Sequence, residues 1–273
     1  MAITVSTPNN ISSPDGNSLA LYKDANTDKF FVKDINGQIE ELTSLNIAPL
    51  FATDPPFDTS TIRIGQGNSA VGDNATVSGG FDNSADGFSA TISGGEENVI
   101  TMNWGTISGG RDNINNGLAS TISGGRDNLM SGNYSILGGG QDNTVNGLYS
   151  TLSGGRDNVT VANYTTIGGG RLNTATALFS SICGGINNDT TGEYATIGGG
   201  INNVASGLDS SVLGGRGNDT NFFENAHIVG SKIVADREGV TFVNNLSIKD
   251  IPSSSTGLPS GSVWNNGGIL NIV

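Results

Sequence analysis

Asparagine recurs every fifteen residues through the middle of this chain, at Asn68, Asn83, Asn98, Asn113, Asn128, Asn143, Asn158, Asn173, Asn188, Asn203 and Asn218, without a slip. Six residues before each stands an apolar residue: Ile62, Val77, Ile92, Ile107, Ile122, Leu137, Leu152, Ile167, Ile182, Ile197 and Val212. A glycine pair lies between the two columns, as at Gly79–Gly80, Gly94–Gly95 and Gly214–Gly215, while the first unit has Ile64–Gly65 there. A typical unit reads STISGGRDN and is followed by a variable stretch such as LMSGNY. Repetition at a fixed period decides architecture before any motif is considered.

The spacing dictates a coil. Ser120-Thr121-Ile122-Ser123 alternates small polar and apolar residues, the pattern of a short strand with Ile122 inward. The glycine pair permits positive φ at a sharp corner. Asparagine tolerates the left-handed region and bonds its own backbone, which suits the turn that follows. Gly117, Gly132 and Gly147 mark a second corner in the variable stretch. Two strands and two corners make one coil, and coils stack at about 4.8 Å, so eleven of them span roughly 50 Å. Stacked amides one coil apart can bond along a ladder, which gives the asparagine column a structural role; ligand binding by that column is the alternative. One Ile and a few small residues per turn bury little apolar area, and a lone repeat does not hold itself together. Three coils sharing one core would solve this, which points to a homotrimer. A second period is also present: Leu118, Leu148, Leu178 and Leu208 are thirty residues apart with Phe88 in register, and Asn103, Asn133, Asn163 and Glu193 fill the alternate coils.

The fold expected is all-β: a parallel β-roll or solenoid over 62–220 with small β modules at both ends. In 1–50, Ser18 to Lys23, Lys29 to Lys33 and Gln38 to Leu42 read as three strands of a meander, joined by DANTD and Asn36–Gly37. Residues 51–61, in the stretch around Pro49, Pro55 and Pro56, read as a linker into the solenoid. After Asn218 the period stops, and 221–250 reads as a strand-rich cap on an edge that would otherwise aggregate. A Ser/Pro/Gly linker, 251–262, precedes a hairpin at 263–273 with its turn at Asn265 to Gly268.

Composition excludes several function classes. A formal net charge of −13 repels phosphate backbones and argues against a nucleic-acid partner. One cysteine, Cys183, and one histidine, His227, make neither a disulfide nor a spaced zinc set, so no metal or cofactor is expected. The N-terminus MAITVSTPNN has no basic or apolar signal region, and no apolar run approaches the roughly 18 residues of a membrane span. Synthesis in a bacterial cytoplasm without a signal peptide is the expectation.

The STIxGGxxN coils resemble the head repeats of YadA-like trimeric adhesins over about residues 62–220. That resemblance implies left-handed parallel β-rolls wound as trimers. The tail GLPSGSVWNNGGILNIV and the segment LALYKDANTDKFFVKD resemble bacteriophage tail-fibre and appendage proteins. Together they imply a fibre of a phage or phage-like particle: an N-terminal part bound to other tail or baseplate proteins, a β-roll shaft, and a distal tip.

Trp104, Tyr134, Tyr149, Tyr164, Phe179 and Tyr194 form an aromatic column. Rings with a polar edge suit wet contacts, including sugars on a host surface, and equally suit packing between protomers or over corners. Arg-Asp-Asn recurs at 111–113, 126–128 and 156–158; stacked carboxylates attract a cation, but the neighbouring arginines neutralise them more simply. Thr-x-Ser arrays such as Thr91-Ile92-Ser93 resemble ice-binding faces, yet Gly138, Gly168, Cys183, Gly198 and Ile136 break them. Paired catalytic carboxylates in a groove, as in glycan-cleaving tailspikes, are not evident: Asp86, Glu193 and Asp209 stand alone, and His227 reads as a cap residue. The functional expectation is a non-enzymatic fibre or spike subunit that attaches a particle to a host surface glycan or protein. A connector without a receptor and an ice-binding solenoid are the alternatives.

Overall fold

The computed structural model describes residues 65–244, 247, 249–267 and 269–273, with the strands at 20–23, 30–33, 39–41 and 62–63. Strands and turns make up all of it; no helix occurs among the described residues. Ala20–Lys23, Phe30–Lys33 and Ile39–Glu41 pair antiparallel as a meander. Its connecting turns and the linker at 51–61 lie outside the described residues.

The chain then winds as a parallel solenoid. One sheet of 13 strands runs from Ile62–Arg63 to Thr241–Val243, and a second of 10 strands runs from Ser69–Ala70 to Val204–Ala205. Successive strands of one sheet pair in register one unit apart, as Thr106 with Thr121 and Ile107 with Ile122, or Ile114 with Leu129 and Asn115 with Met130. Through Val212 the solenoid strands are only two residues long, because each face of the coil has room for one outward and one inward residue between corners. Backbone N–H groups of the strands donate to the following coil: Thr106 to Ser120 O at 2.9 Å and Arg111 to Gly125 O at 2.9 Å. At each corner one residue is left-handed, and its N–H turns back: Asp112 donates to Glu96 O at 3.0 Å and Trp104 to Phe88 O at 2.8 Å. Each coil is therefore bonded in both directions.

Three expectations are corrected. First, the asparagine column is not left-handed. That conformation belongs to the residue before it, such as Asp112 at φ 55° and Asp127 at φ 56°. The asparagines point inward and are buried. Second, the coil closes its own core. The column Val77, Ile92, Ile107, Ile122 is fully buried within one chain, and so is an opposing column that includes Ala85, Ile100, Met130 and Val145. A core too thin to close alone is therefore no argument for a trimer. Third, the first unit is one residue short: Ile62 pairs with Thr76, and Arg63, not Ile62, stands opposite Val77.

The opposing column varies in size and polarity, yet it packs because its partner position compensates. Beside Ile100 the chain has Gly105, where a Cβ would come 2.6 Å from Ile100 Cγ2. The buried Asn115 bonds Ser120 O at 3.1 Å and accepts the Ser120 hydroxyl. Thr190 Oγ1 donates to Ser180 Oγ at 2.9 Å.

Past Asn218 the sequence period is lost but the winding is not. Ser211 pairs with His227 and His227 with Thr241, in steps of 16 and 14 residues. The region expected to be a separate cap thus begins as two further strands of the long sheet. Residues 263–273 form the hairpin, with Val263–Asn266 antiparallel to Ile269–Ile272. Asn265 and Asn266 lie in its first strand and Asn266 pairs with Ile269, so the turn is tighter than expected.

Candidate functional site

The aromatic column occupies the left-handed corner that follows the second sheet. Tyr134, Tyr149, Tyr164, Phe179 and Tyr194 all have φ between 55° and 58°. Bulky residues rarely adopt this conformation, which costs on the order of 1–2 kcal/mol each. The rings offset it by stacking: centroids lie 5.2, 5.2, 4.9 and 5.1 Å apart, with interplanar angles of 2° to 9°. Contacts of this kind contribute about 0.5–1.5 kcal/mol per pair. The rings stay about half exposed. Because each is covered face to face by its neighbours, the run presents edges and phenol hydroxyls to solvent. Only its two terminal faces are uncovered by another ring of the run.

Trp104, expected in the same column, is not part of the stack. Ala119 occupies the intervening coil, and Trp104 instead packs edge to face on Phe88, with centroids 6.0 Å apart at 82°. The thirty-residue alternation beside this column now has a physical cause. Asn103 Oδ1 accepts the Phe88 N–H, Asn133 Oδ1 the Leu118 N–H, and Asn163 Oδ1 the Leu148 N–H, each at 2.9 Å. The amide of one coil satisfies a backbone donor of the coil before it. The alternation itself was the signal in the sequence.

The asparagines from Asn68 to Asn218 form a continuous ladder. Asn98 is representative: its Nδ2 lies 3.0 Å from Asn83 Oδ1, 3.2 Å from Gly94 O and 2.9 Å from Gly110 O, and its backbone N–H also donates to Asn83 Oδ1 at 3.0 Å. One side chain ties three coils together. At the end of the ladder Asn218 Oδ1 accepts the Ile233 N–H at 3.1 Å. With its amide hydrogens committed inside the coil, this column has no surface for a ligand.

Asp82, Glu97, Asp112, Asp127, Asp142 and Asp157 stand one per coil at the other left-handed corner. Arg111, Arg126 and Arg156 each pair with the aspartate that follows, at 3.2, 3.0 and 3.1 Å. Glu97 shares a hydrogen bond with Asp112, which, with the Asp112 charge, holds its carboxyl above the usual range. Among the described residues no three Asp, Glu, His or Cys side chains converge as a metal set. On the opposite sheet the outward Thr/Ser array is interrupted by Ile136 and ends at Leu213, both well exposed. Cys183 is exposed in the same array. His227 lies in a strand and bonds Ser211 Oγ through Nδ1 at 2.8 Å.

One burial was not foreseen. Asp189 lies on the outward side of the second sheet between Thr174 and Val204. Its Oδ1 has no hydrogen-bond partner, and desolvation pushes its carboxyl pKa up. No family model matches the chain, and no curated protein matches it in sequence.

Proposed function

We propose that this chain is the elongated subunit of a fibre or spike on a phage or phage-like particle, and that the particle uses it to attach to a host surface. The observation that carries this reading is the unbroken winding. The long sheet has 13 strands, and twelve steps of about 4.8 Å make a rod of roughly 58 Å. The coils from Asn68 to Asn218 are cross-braced by the asparagine ladder, so the rod resists bending and shear over that length, as a fibre must. In this reading the N-terminal meander joins other tail or baseplate proteins, and the solenoid and C-terminal hairpin project outward.

The fibre is proposed to be a homotrimer. The resemblance to trimeric adhesin heads supports this, and so does the outward column of the second sheet. There Val99, Leu129, Val159 and Val204 are partly covered and Ile114 is exposed. From Val99 through Ile114 to Leu129 that column gives a neighbouring copy an apolar strip three coils long, which Thr144 ends. Native mass by light scattering, before and after SDS without boiling, tests it. A detergent-resistant trimer supports the fibre; a stable monomer removes it.

A connector without a receptor is the second reading. It is favoured by the face-to-face packing of the tyrosines, which covers the ring surfaces a sugar would use. A glycan array of the full chain separates the two: bound sugars support attachment, and none at high protein concentration supports the connector.

A further inference from the structure

Stacked rings hide their faces, so the places to examine are the breaks in the stack. One end of the run, at Tyr194, meets Asp209 on the next coil and has Glu193 beside it. A neutral ring stacked there would lie against two carboxylates. The other end is different. Tyr134 is followed, one coil toward the N-terminus, by Ala119, and one coil further by Trp104. Tyr134 is 50% exposed and Trp104 53%. Ala119 holds the same left-handed corner, at φ 50°, with only a methyl where its neighbours carry rings.

The stack therefore ends at Tyr134, with one face of that ring open over Ala119. Two coil steps of about 4.8 Å separate the Trp104 and Tyr134 levels by roughly 10 Å. A ring lying on the open Tyr134 face at van der Waals distance needs about 4 Å. The spacing leaves height for one six-membered ring on the Tyr134 face, over the Ala119 methyl and below the level of Trp104.

The surroundings name its chemistry. The corner segments 101–104, 116–119 and 131–134 contain no charged residue. They do contain three amides whose oxygens are already taken. Asn103 Oδ1 accepts the Phe88 N–H at 2.9 Å, Asn133 Oδ1 the Leu118 N–H at 2.9 Å, and Asn116 Oδ1 the Thr101 hydroxyl at 2.8 Å. Each amide thus has its NH2 group left to donate. Neutral donors on the corners beside an open aromatic face match the apolar C–H face and the ring hydroxyls of a pyranose. They do not match a carboxylated or phosphorylated ligand, which would need cations.

We infer that the gap over Ala119, between Trp104 and Tyr134, is a binding subsite for a neutral pyranose ring of a host-surface glycan. The inference rests on the attachment reading and gives it a site.

The test uses the full chain with Trp264→Phe, so that emission reports Trp104 alone. It is titrated with maltohexaose, cellohexaose, laminarihexaose and chitohexaose. At least one is expected to shift Trp104 emission saturably. Ala119→Tyr completes the stack with the residue four neighbouring coils already carry, so it preserves the fold while filling the slot. It is expected to weaken binding at least about tenfold, as is Tyr134→Ala, whereas Tyr164→Ala in mid-stack stays within about twofold. No saturable shift with any of the four up to about ten times a millimolar dissociation constant overturns the subsite. So does an Ala119→Tyr protein that binds like the parent, or a Tyr164→Ala protein as weak as Tyr134→Ala. The two readings fail separately: if Ala119→Tyr keeps full binding on a glycan array, the subsite falls and attachment stands. If the parent chain binds nothing there, glycan attachment falls with it.

Discussion

Replacing one rung of the asparagine ladder tests whether that ladder holds the rod together. Asn143 is fully buried at mid-length. Its Nδ2 reaches Gly139 O at 3.0 Å and Gly155 O at 2.9 Å, and its Oδ1 accepts the Asn158 N–H at 3.0 Å. In Asn143→Ala the Asn158 N–H and the Gly139 carbonyl lose these bonds. Gly155 O keeps the Gln141 N–H at 2.9 Å, and Asn128 Oδ1 keeps the backbone N–H of residue 143 at 3.1 Å. Two buried backbone groups left unsatisfied cost about 1–3 kcal/mol each, so the expected loss is about 4 kcal/mol. The exposed Asn146 on the same coil is the control, and Asn146→Ala is expected to change stability by less than about 0.5 kcal/mol. Urea unfolding followed by circular dichroism reads the stability, and amide exchange at Asn158 reads the local opening. A loss below about 1 kcal/mol with unchanged exchange at Asn158 would refute the reasoning, because backbone pairing alone would then carry the coil. Asn143→Asp is expected to be worse at neutral pH. Its buried carboxyl has a pKa raised above the unfolded value, so the variant is most stable in acid and loses stability as pH rises.

Tyr164→Ala gives up two stacked contacts and is expected to lose about 1–3 kcal/mol. Tyr164→Gly loses the same contacts but escapes the left-handed penalty, so it should unfold about 1 kcal/mol later than the alanine variant; equal midpoints would show that the corner is unstrained. Gly110→Ala drives a Cβ to 2.1 Å from Gly125 O at φ 93° and is expected to cost more than about 3 kcal/mol, well beyond Gly109→Ala, whose Cβ meets nothing closer than 4.0 Å. Asp189→Thr is expected to stabilise the chain at neutral pH. Since burial raises the folded carboxyl's pKa, the wild-type deficit should shrink as pH falls through that raised value and vanish below the unfolded pKa, as a stability profile against pH would show.

The solenoid was legible because two of its columns cannot vary. An inward amide must meet an amide, and Ile122 must meet an apolar neighbour on the next coil. The second inward column was not legible, because its members change in concert with the residue across the core: Ile100 with Gly105, Asn115 with Ser120, Thr190 with Ser180. Read along one column they look random, and so the closure of the core within one chain was missed. The left-handed site was misassigned by one residue because Asn and Asp tolerate that conformation alike, and only the inward burial of Asn113 beside Asp112 tells them apart. The winding past Asn218 was hidden by paired steps of 16 and 14 residues, which cancel over two coils. In the candidate site the aromatic column was readable. Its open end over Ala119 was not, because an alanine shows as the end of a stack only once Tyr134 and the rings beyond it are known to stack.

The amides at Asn103, Asn133 and Asn163 also govern how such a rod can change length. Leu118 donates its N–H to Asn133, and Leu148 donates to Asn163. Cutting out a single coil would bring two leucine corners together and strand a donor between them. Cutting out two restores the match. Lineages of this chain are thus expected to lengthen and shorten by duplication or loss of thirty-residue modules, each worth about 9.6 Å of reach, and a one-coil indel should be the rarer, costlier event.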